Sequence, residues 1–348
     1  MTLRWASSLD GADCMQAEKS RVRSRGILPV QEEGSAGVTS SVSTSPTSHT
    51  SPSFAVIADI HGNVPALDAV LADLEQVQPD RVIVAGDFVN RGPQSRAALE
   101  RIAPYGFPAI SGNHDTWLTL LARGEGLPAG WETPWWTPVR LATADLTPQW
   151  LTWLDALPPT LRVELPGTTP ARIVHGSPRH SREGMGRMMD EQRLREALAG
   201  VAEPTVIGAH IHYPYERWVE WAPEQGGEQG GQQPQRTHVV VVGAVGCPFN
   251  GDINAQYGLF TWAGDDWQFE HRSIPYDHAP IYAAWRESGY LADDSLASEL
   301  MLLEYQTART HYVPFWEWAE AHGLPLTHAS YARFAAERDP AFPPLTRR

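Results

Sequence analysis

The chain has 348 residues, of which 42% are hydrophobic, and its 27 basic against 41 acidic residues give a formal net charge of −14. This length and composition can bury a sizeable core, either as one large α/β domain with an extension or as two domains. The acidic balance argues against binding to a nucleic-acid backbone, which requires clustered Lys and Arg, and no apolar run reaches the roughly 18 residues of a transmembrane helix.

Residues 1–53 show neither helical nor strand periodicity. Their second half, from Gly34 to Ser53, is rich in Ser, Thr, Gly and Pro and buries too little apolar surface to offset the entropy of ordering. We therefore predict a disordered N-terminal tail over residues 1–53. The first residues lack the apolar core of a signal peptide, and Cys14 and Cys247 are too far apart in sequence to indicate a disulfide framework. Both features favour a cytoplasmic location and no membrane partner.

Three strand-like runs follow, and each ends in polar side chains of the kind that bind metal ions. Residues 54–58, 81–85 and 108–111 are short, apolar and rich in β-branched or small side chains, which is typical of buried strands. They lead into Asp59-Ile60-His61, Gly86-Asp87 and Gly112-Asn113-His114-Asp115. Between the first two runs, Leu67, Val70, Leu71 and Leu74 recur at helical spacing, with Asn63 as the N-cap. The pattern predicts a βαβαβ unit whose strand ends form one ligand crevice.

Two further strand-like runs, residues 171–174 and 205–208, end in histidines. They lead into His175-Gly176 and His210-Ile211-His212. A lone Asp-x-His or Gly-Asp is common and carries little information, but five such elements on successive strand ends favour a single binding site. A mixed set of carboxylate, imidazole and amide ligands suits Mn, Fe or Zn, and the absence of thiolates argues against a structural zinc site.

The segment between His114 and His175 is predicted to be a cap over this site, because it leaves from and returns to ligand-bearing strand ends. We place it at residues 116–170. Its six tryptophans are Trp117, Trp131, Trp135, Trp136, Trp150 and Trp153. Each of them either stacks on a nucleobase or another aromatic leaving group, or closes a small hydrophobic core within the cap. For any single Trp the hydrophobic core is the favoured interpretation.

Downstream of His175, the sequence predicts two hairpins and then a helical extension. The first hairpin has arms at residues 213–221 and 236–242 and a flexible tip at 222–236, and the second has arms at 256–262 and 267–273. From residue 276 onwards the spacing is helical, over Pro280–Ser288, Ser295–Thr310 and Pro314–His322. We interpret residues 276–348 as a C-terminal helical extension that packs on the sheet core, with a dimer contact as the alternative.

These motifs resemble, in kind and in order, those of the calcineurin-like metallophosphoesterase family. The resemblance rests on Asp59-x-His61, Gly86-Asp87-x-x-x-Arg91-Gly92, Gly112-Asn113-His114-Asp115, Val174-His175-Gly176 and His210-x-His212, and residues 242–246 and 254–257 extend it. One departure is Ala209, since many relatives place Gly directly before the first His of the last pair. The resemblance implies an α/β fold, a four-layer αββα sandwich of two mixed β-sheets flanked by helices, in a catalytic domain over residues 54–275.

The resemblance also implies a site with two divalent metal ions, for which Mn is expected and Fe, Zn or Co are alternatives. Asp59, His61 and His212 would hold one ion, Asn113, His175 and His210 the other, and Asp87 would bridge them. A hydroxide between the metals would attack the phosphorus of a phosphodiester or phosphomonoester. His114 would act as the general acid that protonates the leaving group.

Three residues are candidates for contacts to the substrate. Arg91 offers a planar fork to phosphate oxygens, with capping of the helix near Gln94 as the alternative. Asn63 and Arg179 are weaker candidates. Asn63, together with Asp115, could instead orient the histidine side chains from behind.

Three classes of function remain open from the sequence. They are a dinuclear metal-dependent phosphoesterase, a catalytically silent scaffold of the same fold, and a nucleotide-binding regulatory module. The complete set of ligands together with His114 favours the enzyme. Its partner would be a small phosphate ester, with a nucleotide as one candidate, and the motifs do not distinguish among diester, monoester, phosphoprotein and dinucleoside polyphosphate. The oligomeric state is not predicted.

Overall fold

The computed structural model describes residues 51–221, 234–292 and 294–337. The predicted tail therefore lies outside the described residues except for its last three, and Ser53 is already the first residue of a strand. Nearly all of the predicted hairpin tip, residues 222–236, also lies outside them. Among the residues that are described, no helix combines the length and the apolarity needed to span a membrane.

The described chain contains nine strands and ten α-helices. The strands are β1 (Ser53–Ile57), β2 (Arg81–Val84), β3 (Thr160–Val163), β4 (Ala171–Val174), β5 (Thr205–Gly208), β6 (Tyr215–Glu220), β7 (Arg236–Val241), β8 (Ala255–Trp262) and β9 (Trp267–Ile274). The helices are α1 (Val64–Val77), α2 (Ser95–Ile102), α3 (Asn113–Ala122), α4 (Thr137–Asp145), α5 (Pro148–Asp155), α6 (Glu191–Leu198), α7 (Ala279–Glu287), α8 (Leu296–Thr307), α9 (Tyr312–Ala321) and α10 (His328–Glu337).

Two mixed sheets form the centre of the fold. The first has the order β2-β1-β8-β9 and the second the order β3-β4-β5-β7-β6. In the first sheet, β1 runs parallel to β2, with Phe54 opposite Arg81, and antiparallel to β8, with Val56 opposite Gly258. Both predicted hairpins are present as antiparallel pairs, β6 with β7 and β8 with β9.

The side chains of β1 explain why helices and sheets form four layers. Successive residues of a strand point to opposite faces, and both faces of β1 are apolar. Ala55 and Ile57 pack in the cluster that contains Leu67 of α1, whereas Phe54 and Val56 pack between the two sheets. On the far side of the second sheet, a third cluster joins β5 and β7 to α6. The predicted αββα sandwich is confirmed.

Local sequence signals account for most of these elements. Asn63 caps α1 by accepting a hydrogen bond from the Ala66 N–H at 3.2 Å, and the four leucine and valine positions predicted to face the core are buried. The prediction of a strand at residues 108–111 was wrong. Those residues contribute only an isolated parallel bridge, Ala109 opposite Val84, so the chain passes from α2 to α3 without a further strand.

Candidate metal centre

The loops that follow the strands bring the predicted ligands together. Asp59 and His61 follow β1, Asp87 follows β2, His175 follows β4, and His210 and His212 follow β5. Together with His114, their ligand atoms form three groups, within each of which the atoms lie within 4.8 Å of one another. The groups are Asp59 with His61 and His212, Asp87 with His175 and His210, and His61 with Asp87 and His114. The first two contain residues of the two sets that the family resemblance implied. Asn113, at the start of α3, places its Oδ1 3.0 Å from Nε2 of His175.

The backbone at these positions is in an unusual conformation. Asp59, His61, Asp87, His210 and His212 all have positive φ angles, between 47° and 69°. Non-glycine residues adopt this region at an energetic cost that the surrounding structure must offset, and such residues cluster at functional sites. The conformation lets residues two apart, as in Asp59 and His61, turn both side chains into the same centre.

Backbone carbonyls fix the orientation of three imidazoles. Nδ1 of His61 donates to the Val89 carbonyl at 3.2 Å, Nδ1 of His175 donates to the Ala85 carbonyl at 2.8 Å, and Nδ1 of His212 donates to the Cys247 carbonyl. A carbonyl can only accept, so the proton of each neutral ring lies on Nδ1 and the Nε2 lone pair faces the centre. Nε2 of His61 lies 3.1 Å from Nε2 of His212. Two lone pairs at that distance repel unless a positive charge lies between them.

The two aspartates, Asp59 and Asp87, provide the carboxylate oxygens of the site. One oxygen of each accepts a backbone hydrogen bond, Asp59 from His210 at 3.1 Å and Asp87 from His114 at 2.8 Å. The other oxygens, Oδ1 of Asp59 and Oδ2 of Asp87, are buried and accept no hydrogen bond of regular geometry in the part of the chain that the structure describes. They lie 3.3 Å from Nε2 of His212 and 3.1 Å from Nε2 of His175, respectively. Burying such charge without compensation is costly. The donor set therefore fits divalent cations, which would satisfy both the carboxylates and the Nε2 lone pairs.

His114 lies at the edge of this centre and is oriented by a residue that the sequence analysis did not single out. Oδ1 of Asn90 accepts the backbone N–H of Arg91 at 2.8 Å, so the amide nitrogen of Asn90 must be the atom that faces Nδ1 of His114 at 2.8 Å. Nδ1 of His114 is then an acceptor, and the ring proton lies on Nε2. The sequence signal for this role was an Asn between Asp87 and Arg91. Because its partner His114 is remote in sequence, the contact could not be predicted.

The pKa of His114 is lowered to about 3. Burial is the main cause, because it disfavours the charged imidazolium, and the positive charges of Arg91 and Arg182 act in the same direction while the carboxylate of Asp87 opposes them. His114 is therefore neutral at physiological pH in the free protein.

Two predicted contacts to substrate are engaged within the fold instead. Nδ2 of Asn63 donates to the Gly246 carbonyl at 2.9 Å and to the Tyr276 hydroxyl at 3.0 Å, while its oxygen caps α1. The guanidinium of Arg179 forms a two-pronged pair with Glu183. These contacts hold both side chains to the fold, and neither is among the substrate contacts proposed below.

Asp115 also differs from its prediction. Its two oxygens accept the backbone N–H groups of Gly112, Asp87 and Phe88 at 2.8 to 2.9 Å. It therefore braces the loop that carries Asp87 and does not orient a histidine side chain. Arg91 does not cap α2, whose N-cap residue is Gln94. The Arg91 side chain instead forms an ion pair with Glu304 of α8.

The tryptophans of the cap segment mostly build a hydrophobic core with the C-terminal helices. Trp135 stacks on Tyr312 with ring centroids 4.6 Å apart, and Trp136 meets Trp316 edge to face at 6.0 Å. Trp117 is the exception of interest, because its ring lies 6.2 Å from the ring of His114 and is partly exposed.

Known proteins resemble this chain in sequence over short stretches. One stretch of 81 residues is 42% identical to a symmetrical bis(5'-nucleosyl)-tetraphosphatase of Paracidovorax citrulli, covering 22% of this chain and 29% of that protein. Another, of 62 residues, is 38% identical to an uncharacterized protein of Methanocaldococcus jannaschii, covering 18% and 26%. The chain thus matches less than a third of the length of these relatives.

Solved structures and a family model cover more of the chain. A metallophosphoesterase from Sphaerobacter thermophilus aligns with a TM-score of 0.54 and 23% identity over 74% of this chain and 100% of that one. A hypothetical protein from Pyrococcus horikoshii aligns with a TM-score of 0.59 and 17% identity over 74% and 99%. These likenesses show the fold. Residues 52–214 match the family model of the calcineurin-like phosphoesterases. The chain is therefore similar to the calcineurin-like phosphoesterases over a little under half of its length.

Proposed function

We propose that the protein is a metal-dependent phosphoric ester hydrolase with two divalent ions. The observation that supports this most directly is the convergence of unpaired acceptors: the free oxygens of Asp59 and Asp87 and the inward lone pairs of the histidines. Asp59, His61 and His212 would hold one ion, Asn113, His175 and His210 the other, with Asp87 between them. Mn is the expected metal, with Fe, Zn or Co as alternatives.

Bound in this way, the metals would polarise the phosphoryl group and lower the pKa of a coordinated water, so that a nucleophile is available near neutral pH. The chain's own residues then have to hold the phosphate and supply a proton. Arg91 is the proposed phosphate contact, because a guanidinium can pair with two phosphate oxygens at once. Since bound metals would supply the nucleophile, no Ser or Cys nucleophile would be required.

His114 is the proposed general acid. Asn90 holds its Nδ1, so Nε2 is the atom that can donate to a leaving oxygen. In the free protein burial keeps this imidazole neutral. A phosphate group brings negative charge beside it, which favours the imidazolium and raises its pKa towards the range where it can transfer a proton. Such a transfer typically contributes roughly 10²- to 10⁴-fold to the rate.

The substrate we propose is a small phosphate ester, a phosphodiester or a phosphomonoester, with nucleotides as the favoured class. Two observations support nucleotides. The local similarity to tetraphosphatases that act on bis(5'-nucleosyl) compounds is one. The other is Trp117, which offers an aromatic surface beside His114 where a base could stack. With only two cysteines, far apart in sequence, we also propose that the protein works in the cytoplasm.

The test compares three substrates under the same conditions with added Mn: bis-p-nitrophenyl phosphate, p-nitrophenyl phosphate and diadenosine tetraphosphate. Asp87→Asn should abolish hydrolysis, because it removes charge between the two ion sites. Asp265→Asn is the matched control, since Asp265 lies exposed in the turn between β8 and β9. Preference for the tetraphosphate or diester supports the nucleotide proposal, and preference for the monoester points to a phosphatase. Activity that survives Asp87→Asn, or no activity at all, contradicts the proposed function and favours a silent scaffold or a nucleotide-binding module.

A further inference from the structure

A carboxylate from the C-terminal helices holds the proposed phosphate contact. Glu304, in α8, is fully buried and accepts a hydrogen bond from Nη2 of Arg91. Arg91 itself is 6% exposed. Glu304 lies 90 residues beyond the end of the family match at residue 214, so nothing in that match assigns it a role.

The geometry around Glu304 fixes its carboxylate. While one oxygen pairs with Arg91, the other accepts the backbone N–H groups of His311 and Tyr312 at 2.8 and 2.9 Å. These N–H groups lie at the start of α9, where a carboxylate is favourable because the helix leaves them without internal partners. The neighbouring Tyr305 donates its hydroxyl to the backbone carbonyl of His61 at 2.8 Å. The end of α8 is therefore tied both to α9 and to a loop of the metal centre.

The guanidinium of Arg91 lies against the metal centre and retains an unused donor. Its Cζ is 5.3 Å from the centroid of the Phe249 ring, and that ring stacks on the metal-site residue His212 at 4.5 Å. Asn90, the residue before it, contacts His114. Nε of Arg91 is buried and has no hydrogen-bond partner in the described part of the chain. A buried donor without a partner is costly, and an acceptor supplied by a ligand would remove that cost.

We infer that Glu304 is a positioning residue that holds the Arg91 guanidinium in place to receive a phosphoryl oxygen, so that the C-terminal helices complete the phosphate site. A long side chain loses rotamer freedom when it binds a ligand. Glu304 removes that freedom in advance by taking one edge of the guanidinium and leaving other N–H groups for phosphate. This inference rests on the proposed function, in which Arg91 contacts the phosphate.

The test uses Glu304→Gln, which keeps the shape of the side chain and an oxygen for the two backbone donors but removes the charge. Glu299→Gln is the matched control, because Glu299 lies on the same helix and pairs with His328 at 3.0 Å, away from Arg91. Wild type and both variants are compared for KM, kcat and inhibition by inorganic phosphate. We expect Glu304→Gln to weaken substrate and phosphate binding together by about tenfold, the size of one charge-assisted contact, with kcat nearly unchanged. Glu299→Gln should match the wild type.

A double variant separates positioning from general destabilisation. In an Arg91→Lys background, Glu304→Gln should add little to the loss of phosphate binding, because both changes remove the same contact. Glu304→Asp keeps the charge on a shorter side chain and should weaken phosphate binding to an intermediate degree. This variant tests the positioning role if Glu304→Gln does not fold. Full additivity in the double variant, or an unchanged phosphate constant in Glu304→Gln, would overturn the inference.

A readout that needs no activity distinguishes this inference from the proposed function. The Nε–H resonance of Arg91, identified by its loss in Arg91→Lys, can be followed by NMR in protein without added metal. We expect Glu304→Gln to shift it and to speed its exchange with water, because the guanidinium is released. The two proposals can therefore fail separately. The proposed function fails if the wild type hydrolyses none of the substrates. The positioning role of Glu304 fails if the Nε–H resonance is unaltered in Glu304→Gln.

Discussion

At the scale of single residues, the site is defined by which atoms lack protons. Carbonyls hold Nδ1 of His61, His175 and His212, so their lone pairs face the centre, whereas Asn90 holds Nδ1 of His114, so that its ring proton lies on Nε2. In the proposed function, histidines would thus serve both as metal ligands and as the proton donor, and the difference would be set by whether the partner of Nδ1 accepts or donates.

This distinction predicts the effect of His114→Ala. We expect the variant to keep its metal content and to lose roughly 10²- to 10⁴-fold in kcat, because it removes proton transfer and no ligand. The loss should be larger for esters with poor leaving groups than for p-nitrophenyl esters, whose leaving group needs little protonation. Elemental analysis and rates for a series of leaving groups check this.

The control for that variant is His322→Ala, since His322 is exposed near the end of α9. It should leave the metal content and all rates at the wild-type level. If His114→Ala lost bound metal, or slowed all leaving groups equally, His114 would act as a ligand or a structural residue and would not be the general acid.

At the scale of elements, the close approach of two loops fixes the position of the Asp87 carboxylate. A Cβ added to Gly112, just before α3, would lie 2.1 Å from Oδ1 of Asp87 and 2.4 Å from its backbone nitrogen. Both distances are far below van der Waals contact, and Asp115 holds the same loop from behind. Asp87 must therefore move if Gly112 gains a side chain.

Gly112→Ala should accordingly lower kcat/KM by about 10²-fold, the size expected when a reacting group is displaced by about 1 Å. The number of bound metal ions per chain should fall as well. Gly186→Ala is the comparison, because the nearest atom to its added Cβ would be 4.0 Å away, and it should behave as the wild type. Equal activity of the two variants would show that the loop around Gly112 shifts to accommodate the added methyl group while Asp87 stays in place.

Comparison of sequence and structure shows where local patterns suffice. Helix α1 and the two hairpins could be predicted because periodicity and turn residues are local. The candidate ligands could be identified because all of them except Asn113 stand shortly after a strand. The roles of Asn90 and Glu304 could not, since their partners His114 and Arg91 are 24 and 213 residues away in sequence and only the fold brings them together.

At the scale of the whole molecule, each proposed ion site joins the two sheets. Asp59 and His61 follow the first sheet and share a ligand group with His212 from the second, while Asp87 of the first shares one with His175 and His210 of the second. A hydrophobic cluster with residues such as Phe54 and Val240 also lies between the sheets. Bound ions would therefore add a crosslink to the hydrophobic contacts and hydrogen bonds that already join the two layers.

This arrangement predicts that metal binding stabilises the fold as well as enabling catalysis. A ligand that binds only the folded state at a free concentration of 100 times its Kd adds about 2.7 kcal/mol to the free energy of unfolding, so the melting temperature should rise with added Mn and fall with a chelator. Asp87→Asn should show a smaller rise than the wild type, because it weakens both sites, and Asp265→Asn should show the full rise. Hydrogen exchange in the loops after β1 and β5 should slow with Mn in the wild type. An unchanged melting temperature with saturating Mn would mean that the ligand groups are held together by the protein alone, and that the ions crosslink nothing.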